Sequence, residues 1–461
     1  MQQILAIVRL TFQAAFRYRL LPLLCALLLA AVVILPLVIQ DDGTAEGFVQ
    51  IILTYTLAAI MTLLGFATLW LACGTLAGDV ADAQIQMVVV KPIARWQIWI
   101  GKWLGILLLD AILLAISTTA VFVLLQWRAG KLPPAEQAKL HSQIMVANGV
   151  IRFDLSDIEP DVDQELQQWL KAHPGDHPES DIAIVRNTLR EEMRQELQIV
   201  PPGYVHVWPL ELGVLKHFLK DKPMHVRSRF NVTDDVPGMT YLGSWIIGIE
   251  DSTKAFATRM SMAPQTSIDI EIPPNLYDEE GVLTIRFYNQ SPAAMLFPLD
   301  NGMEVLYPES SFGINFFRGV FILFLWLAFL AALGLAASSY LSFPVAAFVA
   351  VAILIVGASS DTINLVIYQG TVFTPNQNTG KADNPALIDY VAIPVFRLLL
   401  AVINLVKVFS PIEALSSGRS INWFQIGKAV LQIGVLMCGA LSLIGIGFFT
   451  RRELAAEQSN H

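Results

Sequence analysis

Residues 104–125 read LGILLLDAILLAISTTAVFVLL, an apolar run broken by one carboxylate, Asp110. A helix needs about 20 mostly apolar residues to cross the hydrocarbon layer of a bilayer, so this stretch predicts a membrane span. Outward from it, residues 20–39, 49–76, 320–337, 343–360 and 429–449 have the same character. The fold expected is a polytopic α-helical membrane protein with about six transmembrane helices. Composition points the same way: 54% of the 461 residues are hydrophobic and only 15% charged, an apolar balance for a chain of this length.

The net charge of −9 argues against a nucleic-acid partner, because phosphate neutralisation needs a basic surface. Cys25, Cys73 and Cys438 all fall inside apolar runs, which leaves the long polar segment without a disulfide. The run 20–39 is longer than a signal-peptide core and no small-x-small site follows it, so it is expected to remain as a span.

Lys and Arg near the span ends set the expected orientation. Arg9, Arg17 and Arg19 precede the first run, Lys91, Arg95 and Lys102 lie between the second and third, and Arg451 and Arg452 follow the last. These groups share a side, the cytoplasm, whereas the first external loop carries Asp41, Asp42 and Glu46 with no Lys or Arg. Both termini are then cytoplasmic, and membrane lipid is an obligate partner.

The polar segment 128–312 consequently lies outside, as an inserted extracytoplasmic α+β domain long enough for its own core. Its part 133–200 reads as helical, because Ile182, Val185, Leu189, Met193 and Leu197 recur at spacings of three and four until Pro201-Pro202-Gly203 ends the pattern. In 203–312 the period changes to two: Leu283, Ile285 and Phe287 alternate with Thr284 and Arg286, and 224–232, 241–249 and 266–272 read as further strands. A β-sandwich is the expected arrangement. Residues 386–410 form an apolar stretch interrupted by Asp389 and Arg397, and are expected to be re-entrant or interfacial, since a span there would put Arg397 near mid-membrane.

Residues 1–19 place Gln2, Arg9, Gln13 and Arg17 on one face and Leu5, Val8, Phe12 and Phe16 on the other, the pattern of an amphipathic helix on the cytoplasmic interface. In the cytoplasmic stretch 77–97, Asp79 and Asp82 lie near the start of a short helical pattern, Pro92 breaks it, and Arg95 and Lys102 lead into the third span. Taken by spacing, this is either a coupling element or a charged turn with snorkelling cations. Asp110 is the candidate intramembrane pathway residue, because a carboxylate at that depth must face a cavity, a partner or another helix. His173 and His177 sit in a Pro-Gly loop, and no metal site is expected.

Lys91-Pro92, Arg95 and Gly101-Lys102-x-x-Gly105, with the ending 448–454 and the entry helix at Arg9 to Arg19, resemble the permease subunits of the ABC-2 superfamily of ATP-driven transporters. The resemblance implies that Asp79, Asp82, Lys91, Pro92, Arg95, Gly101 and Lys102 belong to the segment that couples to a separate ABC ATPase subunit. It further implies a second permease copy or paralogue, a bacterial inner membrane, and a periplasmic location for 128–312. No ATP-binding cofactor site is expected in this chain: the phosphate-cradling G-x-x-x-x-G-K-S/T pattern fails at Trp96 and Trp103 around Gly101-Lys102, so the chain is not read as an enzyme. The competing expectation is a membrane-anchored module whose external domain captures a periplasmic ligand or envelope protein without transport.

Overall fold

The computed structural model describes residues 2–17, 20–38, 45–81, 93–134, 137, 140, 145–152, 159–174, 179–232, 238–249, 255–299, 302–373, 388–407 and 409–452. The chain divides into a helical unit, 1–146 with 311–461, and a second unit, 147–310, rich in β-strand.

In the helical unit α1 (Gln2–Arg17), α2 (Leu20–Val38), α3 (Ala45–Ala81) and α4 (Arg95–Ala129) precede the β-rich unit. Val49–Ala81, Arg95–Ala129, Phe312–Ser338 and Trp423–Arg451 are four helices long and apolar enough to cross a membrane. α3 buries Leu53, Leu57, Ile60 and Leu64 completely, a stripe at helical spacing. A long helix of the second half of the chain fits against it through small residues, where a Cβ on Gly334 would come 2.7 Å from Cβ of Ala72. Such close backbone approach is how apolar helices gain packing when water offers no drive between them.

The runs expected as first and fifth spans do form helices, but shorter ones. Leu20–Val38 has 19 residues and Phe343–Ala358 has 16, or roughly 24 Å for the latter against a ~30 Å hydrocarbon layer. The last expected span begins earlier than its apolar run, at Trp423, and passes through a π-helical stretch, Val430–Met437. Residues 389–407 are one helix with Pro394 inside it and Arg397 exposed.

The β-rich unit contains, in chain order, β1 (Val146–Arg152), α5 (Glu159–Ala172), α6 (Glu179–Gln198), β2 (Ile199–Val200), β3 (Val205–Glu211), β4 (Met224–Ser228), β5 (Asn231–Val232), β6 (Tyr241–Gly248), β7 (Ala255–Met262), β8 (Ile268–Ile272), β9 (Val282–Asn289), β10 (Met295–Leu296) and β11 (Met303–Ser311). Two sheets have four strands, β1-β11-β4-β8 and β3-β9-β6-β7, and a small third sheet runs β2-β10-β5. One buried cluster draws Val226, Ile270 and Val305 from the first sheet and Leu210, Trp245 and Ile285 from the second, so the two face each other across a shared core. Its centre is aromatic: Trp245, Phe287 and Phe297 lie edge-on or tilted, with Trp245 and Phe287 centroids 4.5 Å apart. Burial of each such ring stabilises by about 1.5–3 kcal/mol.

One strand departs from expectation. Val146–Arg152 lies inside the stretch read as helical, 133–200, yet it is an outer strand of the first sheet. Val146, Val150 and Ile151 are β-branched, and Arg152 reaches across to the fully buried Glu304 of β11 at 2.8 Å, which holds the strand in place. α5 and α6 are thus a helical pair set between β1 and β2. They pack on each other with Glu159 accepting from Arg190 at 2.7 and 2.9 Å and Arg186 meeting Asp163 at 2.7 Å.

After β11 the helical unit resumes with α7 (Phe312–Ser338), α8 (Phe343–Ala358), α9 (Ser360–Gln369), α10 (Asp389–Lys407), α11 (Pro411–Ser416), α12 (Trp423–Ala429), the π-helical stretch and α13 (Cys438–Arg451). Between α8 and α9 only Ser359 is non-helical, and Gly370 closes α9 in the left-handed conformation, φ 70°, that glycine adopts without strain.

Candidate functional site

Most of the residues singled out in 77–105 gather at one end of the helical unit, where α3 ends, α4 begins and α13 ends. Asp79 lies in the last turn of α3 and Lys102 in the second turn of α4. They meet: Lys102 Nζ donates to Asp79 Oδ2 at 2.5 Å and to the Thr75 carbonyl at 2.8 Å. Lys102 is buried while the Asp79 side chain is one-third exposed, so the pair faces the protein on its cationic side and solvent on its anionic side. Thr75 lies more than a turn before the end of α3, so its carbonyl, already part of the helix ladder, takes the Lys102 ammonium on its second lone pair.

Arg95 does the same for the other end of the chain. Its Nη1 reaches the carbonyls of Phe449, Thr450 and Arg452 at 3.0, 2.8 and 2.9 Å, which are acceptors that α13 leaves unused as it ends. Trp99, fully buried one turn along α4, donates Nε1–H to Ser339 Oγ at 3.2 Å, and Trp103 donates to the Ala328 carbonyl at 3.0 Å. Gly445 of α13 leaves room for Trp99: a Cβ there would stand 2.8 Å from the indole nitrogen.

Gly101 and Gly105 have a different task. They are four apart on α4 and face Ile7 and Thr11, four apart on α1. A Cβ on Gly101 would come 2.8 Å from Ile7 Cβ, and one on Gly105 would come 2.7 Å from Thr11 Cβ. α1 therefore seats its Ile7, Thr11 and Ala15 stripe in a groove that the glycines open. Leu5, assigned by pattern to the apolar face, is exposed, as are Arg9 and Gln13, so the buried stripe of the helix is Ile7, Thr11 and Ala15, which its amphipathicity did not reveal.

Asp110 lies eight residues beyond Lys102, roughly 12 Å farther along α4. It is 2% exposed, and its Oδ1 accepts from Thr68 Oγ1 of α3 at 2.9 Å. Its Oδ2 has no hydrogen-bond partner among the described residues. Thr68 escaped the sequence reading because threonine in an apolar run carries no mark of its own; its place on α3 opposite Asp110 emerges only once α3 and α4 are packed. Asp82, Lys91 and Pro92 lie outside the described residues.

His173 stacks on Trp169 at 4.5 Å, and His177 lies outside the described residues. Among the described residues no group of three His, Cys, Asp or Glu side chains is placed to hold a metal ion.

No protein-family model, curated protein or solved structure matches the chain.

Proposed function

We propose that the chain is the membrane-spanning permease subunit of an ATP-driven transporter of the ABC-2 type, taking its energy from a separate ATPase subunit that docks on the segment around 79–95. In this reading it pairs with a second permease, either another copy or a paralogue, and works in a bacterial inner membrane with both termini cytoplasmic and 128–312 periplasmic. α2 and α8 join the four longer helices to make six spans, and α10 lies at the interface or re-enters.

The observation that carries the reading is the joining of helix ends by the residues of the Arg95 to Gly105 stretch. Arg95 ties α13, Lys102 ties α3, and Gly101 and Gly105 seat α1. A push on the segment 82–92, between α3 and α4, would therefore be delivered to four helices at once rather than absorbed in a loose turn. Work by a partner on this end becomes rearrangement of the spans, for export or for mechanical action on the external domain.

The test is association. The full chain purified from its own membranes should bring an ATPase with it, and Asp82→Lys with Lys91→Glu should break that association while Asp79 and Lys102 keep the bundle intact. Absence of any ATP-hydrolysing partner from the unaltered preparation would overturn the proposal.

A second reading is favoured by one surface. Val205, Val207, Ile246 and Tyr288 share the outer face of the β3-β9-β6-β7 sheet and are all exposed. A membrane-anchored module that captures a periplasmic ligand or envelope protein there would need no ATPase. A fragment covering 128–312 that folds and retains such a partner, with the full chain never joining an ATPase, would favour this reading.

A further inference from the structure

A groove runs between α2 and α4. Val32 and Val33 of α2 form one wall, and Ile116, Ala120, Val123 and Trp127, spaced four, three and four apart along α4, form the other. Its volume is about 750 Å³, within the roughly 300–1,000 Å³ of clefts that take small ligands. Apart from Thr119 and the Trp127 indole nitrogen, every side chain lining it is hydrocarbon. Ile116, Val123 and Trp127 are each more than half exposed, so the groove lies open along its length.

Its Trp127 end differs in chemistry. Lys131, two residues past the end of α4, sets its Nζ 3.4 Å from the centroid of the Trp127 ring. Gln137 pins the turn that carries this lysine, its Nε2 donating to the carbonyls of Gly130 and Leu132 at 2.9 and 2.8 Å. The cation is therefore held against a residue that itself lines the groove. It is exposed, and a ring face cannot take all three N–H donors of an ammonium, so an anion can meet it without displacing the ring.

Length and depth point to the occupant. The helical steps from Ile116 to Trp127 cover about 16 Å, roughly half of a ~30 Å hydrocarbon layer and so the depth of one leaflet. Arg95–Ala129 is long and apolar enough to cross a membrane and ends just past this point, where an exposed tryptophan suits the headgroup level. An apolar groove one leaflet deep, closed at its polar end by a fixed cation, complements a lipid with its chain along the groove and its phosphate at the ammonium. We propose that this groove holds an acyl chain of one phospholipid, with Lys131 binding its phosphate, in the leaflet where α4 ends. This rests on the membrane reading alone and is independent of coupling to an ATPase.

The experiment places the full chain in nanodiscs of phosphatidylglycerol, or of a phosphate-free diacylglycerol glycolipid with the same acyl chains, and reads by native mass spectrometry what stays bound. The unaltered protein should retain a single phosphatidylglycerol per chain and hold the glycolipid more weakly. Ala120→Phe, which fills the groove from an exposed position, should abolish retention, whereas Ala120→Ser, which leaves the groove open, should not change it. Lys131→Gln should weaken retention of phosphatidylglycerol about threefold or more, the scale of one exposed charge pair, and leave that of the glycolipid unchanged. Equal retention by the unaltered chain and Ala120→Phe, or of the two lipids by the unaltered chain, would overturn the proposal. So would a lipid-free pair of chains that Ala120→Phe splits, since a second copy would then fill the groove. A chain that never enters the bilayer would overturn the membrane reading and this site with it.

Discussion

Replacing Gly105 by alanine tests whether α1 is held by a groove or merely lies near α4. The new Cβ would stand 2.7 Å from Thr11 Cβ and 3.1 Å from the Val8 carbonyl oxygen, against about 3.4 Å for ordinary contact, a deficit of roughly 0.7 Å at the first. Neither neighbour is the far end of a flexible side chain, so relief requires α1 itself to withdraw. Overpacking of this kind costs about 1–3 kcal/mol, and withdrawal also loosens the neighbouring Gly101 contact with Ile7. Thermal unfolding of the detergent-solubilised full chain measures the loss. Thr11→Gly removes the atoms in collision, so the pair Gly105→Ala with Thr11→Gly should recover part of what the two single changes predict when added. A Gly105→Ala protein as stable as the unaltered one, or strictly additive effects, would refute the reasoning.

Four other outcomes follow from the geometry. Thr68→Val strips Asp110 of its hydrogen bond and should destabilise by about 1–3 kcal/mol, whereas Thr68→Val with Asp110→Leu should be milder than Thr68→Val alone, as thermal melts in one detergent would show. Lys102→Met should destabilise the bundle, and Asp79→Asn added to it should restore some of the loss because a carboxylate only one-third exposed is no longer left without its cation. Arg95→Ala should speed hydrogen exchange at the end of α13, around residues 448–452, and leave α3 unchanged. His225 in β4 titrates below the ordinary 6.5 chiefly because it is buried, an effect opposed by Glu271 and Asp269 and reinforced by Arg227. The unfolded chain therefore binds more protons on acidification, and the stability of the β-rich unit should be complete above about pH 6.5 and decline as pH falls through that value toward the depressed one. Near-ultraviolet melts at about pH 7.5 and 5.5 would show the decline, and His225→Phe should flatten it.

The long apolar helices and the strands were legible in the sequence for the same reason: each is marked by its own repeating pattern of apolar residues. Leu283, Ile285 and Phe287 are fully buried because a strand turns every second side chain inward, and Leu53, Leu57, Ile60 and Leu64 because a helix turns every third or fourth. β1 was illegible since Val146–Arg152 contains Asn148-Gly149, which reads as a turn, and its pairing partner lies some 150 residues away at Glu304. The seam between α1 and α4 was missed because amphipathicity does not mark the partner's glycines, while this contact is set by Gly101 and Gly105 receiving Ile7 and Thr11. Arg95 and Lys102 looked like cations bound for solvent. Their carbonyl partners belong to elements up to 357 residues distant, which no local spacing encodes.

The outer strand β1 has one further consequence. Gly149 lies against Tyr307, and Arg152 lies against Glu304, so the contacts run in opposite senses along β1 and β11 and bring residue 146 beside residue 310. The chain enters and leaves the β-rich unit through adjacent strands, which neighbouring backbones keep roughly 5 Å apart. A genetic cut at these two points would lift the whole unit out as a cassette, and a few residues would suffice to rejoin Met145 to Phe312.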